Sequence, residues 1–249
     1  MTDIELLIDF HKEADRQGPG SSEETLKALR FIQSKKNKPI KIADIGCGTG
    51  AQTITLAENI EGEITAVDLF PEFLEKLEAK LKELELDHKI KTLKADMANL
   101  PLQENEFDVI WSEGAIYFMG FEEGIKQWKK FLKPGGYLAV SEITWLTESK
   151  PKEIEDHWNK EYPEIDTASN KIKQLEKDGY SPLAYFAIPE SCWIENYYQP
   201  MQARFNAFLD KHNHSEMAKN LVEMEKAEIR MYKKYKKYIS CGFYIAKKV

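Results

Sequence analysis

Residues 42–50 read Ile42-Ala-Asp-Ile-Gly-Cys-Gly-Thr-Gly50, so three glycines stand at alternate positions behind an apolar run. The run IKIADI (40–45) has the β-branched content of a buried strand, and AQTITLAENI (51–60) continues at helical spacing. Glycine lets a chain turn sharply and lets a ligand touch backbone. Amides free at the start of the next helix favour an anionic group. The plainer alternative is a strand-to-helix turn with no ligand; three alternating glycines weigh against it. A dinucleotide loop has the pattern G-x-G-x-x-G or -A, which Gly46, Gly48 and Ala51 satisfy. An adenosine cofactor of another kind fits as well. Either needs an acid at the end of the second strand, about twenty residues on, for the ribose hydroxyls. Asp68 in EITAVDL (63–69) supplies it.

Outward from the loop the alternation repeats. EITAVDL reads as a strand, PEFLEKLEAKLKELEL (71–86) as a helix with Pro71 near its first turn, and IKTLKAD (90–96) and FDVIWSEG (107–114) as strands. FEEGIKQWKKFL (121–132) reads as a helix, KPGG (133–136) as a turn and YLAVSEI (137–143) as a strand. Apolar strands alternating with helices predict a parallel sheet covered on both faces. Upstream, residues 3–16 predict a helix with Ile4, Leu7, Ile8 and His11 on one face. QGPGSS (17–22) breaks it, and a second helix from Glu23 to Ser34 is expected with Ser22 as N-cap and Leu26, Leu29 and Phe31 half-buried. KKNKP (35–39) reads as a turn. Beyond Leu146 the pattern loosens: helix over 151–179 interrupted at YPEIDT (162–167), a strand at SPLAYFAIP (181–189), helix over Tyr197–Lys237 and a last strand at YISCGFYIAKK (238–248). The expectation is one domain over 1–249: a helical cap (1–36), a cofactor-binding core (37–146), and a substrate-covering insertion with the last two strands (147–249).

Composition narrows the function. Hydrophobic residues are 42% and charged residues 31% of 249, with net charge −7, which argues against a basic face for nucleic acid or an anionic membrane. Cys47, Cys192 and Cys241 are too few and too scattered for a disulfide framework or zinc site, which suits a reducing cytoplasm. The N-terminus carries acids through its apolar part, unlike a signal peptide, and no apolar run has membrane-spanning length.

ADIGCGTG, VDL, KADMANLP, FDVIWSEGAIY and FLKPGGYLAVSE follow one another in that order. Together they resemble the successive motifs of the class I S-adenosylmethionine-dependent methyltransferases, within them the small-molecule group of the ubiquinone/menaquinone-methyltransferase-like bacterial type. The resemblance covers about residues 40–146. It implies an α/β, Rossmann-like, seven-stranded, mostly parallel sheet with an antiparallel last strand, and helices on both faces. It also implies S-adenosyl-L-methionine as cofactor, S-adenosyl-L-homocysteine as product, and a small-molecule acceptor. By the same resemblance, Gly46, Cys47, Gly48 and Gly50 would pack on the methionine part. Asp44 would orient the loop or meet the ammonium through water. Asp68 would take the ribose hydroxyls with Leu69 against the adenine, and Asp96 and Met97 would hold the adenine. Ser112, Glu113 and Gly114 would border the sulfonium and the acceptor.

Four further residues are candidates for acceptor chemistry. Glu113 and Glu142 fall at the C-terminal ends of neighbouring predicted strands, where open α/β sheets bind ligands; either orients or deprotonates an acceptor, or simply caps a loop. Tyr117 directly follows a strand end, as does Trp145. With Phe118, Trp158, Tyr162 and Trp193 these could form an aromatic pocket, most of the six being expected in the core. His157 is the one plausible general base, while His212 and His214 face apart on a helix, so no metal site is expected. QGPGSSEET (17–25) resembles the segment that closes over cofactor and acceptor in small-molecule methyltransferases. RMYKKYKKY (230–238) reads as a helix with one packed tyrosine face, and the chain lacks the Asn/Asp-Pro-Pro-Tyr/Phe pattern of methyltransferases that act on bases. The expected partners are therefore a small molecule, no nucleic acid and no membrane, with the chain a monomer or homodimer. The competing readings are an NAD(P)-dependent oxidoreductase and a non-catalytic S-adenosylmethionine-binding module.

Overall fold

The computed structural model describes residues 2–32 and 38–249. Its sheet has the order β3-β2-β1-β4-β5-β8-β7. These are β1 (Ile40–Ile45), β2 (Gly62–Asp68), β3 (Ile90–Lys94), β4 (Phe107–Glu113), β5 (Leu132–Trp145), β7 (Tyr180–Ala187) and β8 (Ile239–Lys248). A two-residue β6 (Asp166–Thr167) pairs with the end of β5. Strands β1 to β5 pair in parallel, whereas β8 runs antiparallel to both neighbours, β5 and β7. The chain thus reverses strand order between β1 and β4, the place where open α/β sheets leave a crevice.

Strand alternation divides the core in two. Ile42, Val109, Trp111, Ala139 and Ile143 belong to one face, and Ala43, Ile45, Ile110, Leu138 and Val140 to the other. The first face packs α1 (Asp3–His11), α2 (Ser22–Leu29), α3 (Ala51–Asn59), α4 (Pro71–Glu83), α9 (Gln199–Lys211) and α10 (Glu216–Tyr235). The second packs α5 (Phe121–Trp128) and α7 (Ala168–Lys177). Pro71 stands in the first turn of α4, where its missing N–H costs nothing. In α10, Tyr232 stacks on Trp193 with ring centroids 4.3 Å apart, so the lysine-tyrosine stretch does turn a packed face inward. No helix among the described residues is long and apolar enough to cross a membrane.

Several local expectations change. Helix α1 stops at His11, because residues 12–17 leave the helix to reach the glycine loop: the backbone oxygens of Ala14 and Asp15 accept the Thr49 hydroxyl at 3.0 and 2.9 Å. Ser21, not Ser22, caps α2, its hydroxyl accepting from the Glu24 amide at 3.2 Å; the Ser22 hydroxyl instead meets that of Thr55 at 2.9 Å. Glu24, Thr25 and Ala28 are the buried face of that helix, and Phe31 is exposed. Helix α2 ends at Leu29 and residues 30–32 leave it in a turn; the rest of the helix expected to Ser34 and most of the turn at 35–39 lie outside the described residues. Lys133–Gly136 does not end a strand but bulges out of β5: the register opposite β4 jumps from Phe107–Leu132 to Val109–Tyr137. Lys133 closes the bulge on Asp108 at 2.7 Å.

Candidate active site at the strand ends

The glycine loop, Gly46–Gly50, joins β1 to α3 with Gly46, Gly48 and Gly50 all at positive φ. A Cβ on Gly46 would come within 2.3 Å of the Ala115 Cβ, and one on Gly50 within 2.2 Å of Leu77 Cδ1. Neighbouring elements, as well as dihedral strain, therefore demand glycine there.

Every loop amide already has a partner. Gly46 and Cys47 donate to the Val67 carbonyl, at 2.8 and 2.9 Å, and Gly50 donates to the Cys47 carbonyl at 3.0 Å. Gly48 donates to Asp68 Oδ2 at 2.8 Å, and Thr49 to Gln17 Oε1 at 2.9 Å. The fold uses these loop amides to bind the loop to β2 and to the N-terminal segment. Beneath the loop, Asp44 is fully buried, taking a hydrogen bond from Thr53 Oγ1 at 2.5 Å and one from Gln52 Nε2 at 3.5 Å, while Gln52 also donates to the Cys47 carbonyl at 3.2 Å. Burial pushes its carboxyl up to about 7. Asp44 does not line the open space; it holds the loop from behind.

A cavity of about 480 Å³ opens over this loop, within the size range of small-molecule sites. Its floor includes Gly46, Cys47, Gly48, Asp68 and Gly114, and one side is formed by Leu69, Asp96 and Met97. Asp68 Oδ1 holds the Phe70 amide at 3.0 Å, and burial raises its carboxyl above the usual range. Asp96 is exposed and holds the Ala98 amide through Oδ1 at 2.9 Å. Gly114, at φ +63°, has nothing within 4 Å of where a Cβ would sit, so it borders open space. Glu113 also lines the cavity and is fastened by the cap: Thr25 Oγ1 donates to Oε1 at 2.7 Å, as does Trp111 Nε1 at 3.0 Å, and the Arg16 guanidinium meets Oε2 at 3.4 Å. Tyr117 and Phe118, in a short 3-10 turn after β4, turn exposed rings into the same space. Burial holds the Cys47 thiol well above its usual range, which suits a packing residue.

Other candidates stand elsewhere. Ser112 is fully buried and Gly50 lies under Leu77; neither lines the cavity. Glu142 has the opposite strand parity from Ser141, whose hydroxyl accepts the Gly114 amide at 2.9 Å, so its side chain goes to the α7 face. There it pairs with the fully buried Lys171 at 3.5 Å, away from the cavity lining. Burial pushes the Glu142 carboxyl up to about 7 and pulls Lys171 down. His157, in α6 (Lys152–Glu161), lines a separate small recess with Trp158 and Trp193 and not the main cavity. Of the six aromatic candidates, Tyr117 and Phe118 line the cavity, whereas Trp145, Tyr162 and Trp193 are core.

The cavity also has a wall that the sequence did not suggest. Arg16 belongs to it; Gln17, Gly18 and Pro19, which also line the cavity, fall in the stretch expected to close over the site. Ile4 and Leu7, 61% and 41% exposed, face it from α1 together with His11. Glu225 and Glu228 reach it from α10, and Tyr197 from a π-helical turn (Ile194–Tyr198). That wider turn resets the helix register, sending Tyr197 to the cavity and Tyr198 into the core. Asn196 in the same turn donates to the Gly20 carbonyl at 2.9 Å, tying the insertion to the cap.

Residues 42–136 match the model of a methyltransferase domain family. Among curated proteins, the chain is 26% identical over 154 residues to a sterol 24-C-methyltransferase of Candida albicans, an overlap covering 61% of this chain and 40% of that one. It is 32% identical over 110 residues to a demethylmenaquinone methyltransferase of Staphylococcus saprophyticus, covering 43% and 46%. The chain therefore spans less than half the length of these relatives. Among solved structures, an S-adenosylmethionine-dependent methyltransferase from Geobacter sulfurreducens, in complex with S-adenosyl-L-homocysteine, superposes with a TM-score of 0.84 at 15% identity over 97% of both chains, a likeness of fold. Residues 42–136 thus carry the match to a methyltransferase domain, set in a sheet whose fold is like that of a solved S-adenosylmethionine-dependent methyltransferase.

Proposed function

We propose that the chain transfers a methyl group from S-adenosylmethionine to a small-molecule acceptor. The observation that carries this reading is the saturated loop: all five amides from Gly46 to Gly50 are spent inside the protein. A diphosphate needs such amides and would also meet Asp68, Asp96 and Glu113 around one cavity. That speaks against the NAD(P) alternative. A cofactor with an adenosine end, a cationic centre and a single carboxylate suits the same surface. Leu69 and Met97 would flank the adenine and Asp96 would accept its amino group. Asp68 would accept the ribose hydroxyls on the lone pairs left by Gly48 and Phe70. Arg16, the one guanidinium lining the cavity, would take the carboxylate.

The bound cofactor supplies an electrophilic methyl group on a positively charged sulfur. The protein's part is to hold the acceptor in line with that methyl and to keep water out. Residues 16–19 close the mouth for this purpose, Gly114 leaves room at the end of β4, and Tyr117 borders the acceptor side. The chain acts on small molecules, as a monomer or homodimer. A reducing cytoplasm suits its three buried free thiols.

Calorimetric titration of the full chain with S-adenosylmethionine, S-adenosyl-L-homocysteine and NADH, each alone, tests the reading. Micromolar binding of the first two and none of the third is expected. Binding of NADH alone overturns it.

A further inference from the structure

The far wall of the cavity bears on the acceptor, given the methyl-transfer reading above. His11 Nε2 of α1 and Glu225 Oε1 of α10 face each other at 3.3 Å. His11 Nδ1 and Glu225 Oε2 are buried without a hydrogen-bond partner. Both residues line the cavity, and each has only part of its polar capacity satisfied within the protein. Three residues along α10, Glu228 takes a hydrogen bond from the Tyr198 hydroxyl at 2.9 Å. Burial and the neighbouring Glu225 push the Glu228 carboxyl up to about 7. The phenol rings of Tyr117 and Tyr197 complete the chamber.

Charge decides what the chamber takes. Asp68 and Asp96 stand at the adenosine end, and Glu113 is matched by Arg16. Arg204 lies outside the lining, over the Phe10 ring at 5.6 Å, with NH1 donating to the Pro200 carbonyl. Among the described residues no lysine lines the cavity. Among the described lining residues, His11 is thus the one basic group beside Glu225 and Glu228; Arg204 acts on Glu225 from outside the lining, and the Tyr198 hydroxyl donates to Glu228. A neutral or anionic acceptor would strand two carboxylates out of water, whereas a cation satisfies them and gains from the ring faces.

We infer that the acceptor is a primary or secondary amine, seated as its ammonium ion between Glu225, Glu228 and the rings of Tyr117 and Tyr197, and methylated on nitrogen. The ammonium proton passes to the hydrogen-bonded His11–Glu225 pair that lines the chamber. The freed lone pair forms the N–C bond as the C–S bond breaks, its electrons staying on sulfur. The product is an N-methylammonium ion beside a neutral thioether.

The test uses the full chain saturated with S-adenosyl-L-homocysteine, titrated calorimetrically with 2-phenylethylamine, cyclohexylamine and ethanolamine, and with 2-phenylethanol, cyclohexanol and ethylene glycol as their uncharged counterparts. At least one amine is expected to bind about tenfold tighter than its alcohol, roughly the 1.4 kcal/mol of one ammonium–carboxylate hydrogen bond. The preference should vanish in the Glu225→Gln, Glu228→Gln double variant while S-adenosyl-L-homocysteine affinity holds; either single variant serves, with a reduced preference, if the double one does not fold. Alcohols binding as tightly as amines, no amine binding to the loaded protein, or a preference that survives the substitutions overturns the inference. Failure of S-adenosyl-L-homocysteine itself to bind overturns the methyl-transfer reading, and the amine assignment with it.

Discussion

The seat of the N-terminal segment on the glycine loop can be measured by a double-mutant cycle. A Cβ added at Gly48 would lie 2.1 Å from Gln17 Oε1, at a φ of +56°. The left-handed conformation costs a non-glycine residue about 1–2 kcal/mol. The clash itself is relieved by displacing the end of a flexible side chain, but that end holds the Thr49 amide at 2.9 Å and donates to the Thr49 hydroxyl at 3.0 Å. Thr49 is fully buried, and an orphaned buried donor costs about 1–3 kcal/mol. Gly48→Ala is thus expected to cost about 2–5 kcal/mol. Gln17→Ala forfeits the same bonds, about 1–3 kcal/mol, and clears the space. In that background Gly48→Ala should cost only its backbone strain, about 1–2 kcal/mol. The double variant then loses no more than Gly48→Ala alone, a coupling of about 1–3 kcal/mol. Urea unfolding of the four proteins measures it. Losses that add to within about 0.5 kcal/mol would show that Gln17 does not fill the space at Gly48, and refute the reasoning.

Asp68→Ala should weaken S-adenosylmethionine binding by about 1–3 kcal/mol, the worth of a hydrogen bond to a charged group; unchanged affinity by calorimetry would remove Asp68 from the ribose. Glu228 titrates near 7 in the folded chain against 4.5 for the ordinary carboxyl. The folded state therefore holds a proton that the unfolded state releases, and stability is full below pH 4.5 and lost as pH rises to about 7. Glu228→Gln removes that slope, so relative to the parent it should gain about 3 kcal/mol between those limits; parallel pH–stability curves for the two proteins would contradict this. Lys171→Met leaves Glu142 buried without its partner and should cost about 3–5 kcal/mol in equilibrium unfolding. A loss under about 1 kcal/mol would mean that Glu142 is already neutral.

The part of the molecule legible in the sequence is the part built from local signals. Gly46, Gly48 and Gly50 announce a turn that only glycine can make, and Asp68 follows at the spacing that a β-α-β unit imposes. Apolar strands between amphipathic helices then fix the parallel order. The wall at His11, Glu225 and Glu228 gave no such signal: His11 stands more than 200 positions from the two glutamates, and each reads as an ordinary helical residue. Ile4 and Leu7 looked like packing positions because periodicity marks an apolar face without saying whether protein or open space lies opposite. Glu142 misled because a strand end was weighed without its parity; Ser141, one residue earlier, is the side chain aimed at Gly114. His157 misled for a related reason. The insertion reaches the cavity through α10 and the turn before α9, not through α6.

Residues 12–25 touch both ends of the cavity: Gln17 is plugged into the glycine loop, Thr25 and Arg16 grip Glu113, and α1 just before them forms the acceptor wall. The proposed cofactor and acceptor sites thus share one segment. A ligand that firms the seat of this segment at the loop also sets His11 in place across from Glu225, so occupancy at one end is felt at the other. Linkage makes the effect mutual: whatever factor the first ligand lends to the affinity of the second, the second returns to the first. Affinities for the acceptor measured on empty protein should consequently fall short of those on protein already holding the cofactor or its product.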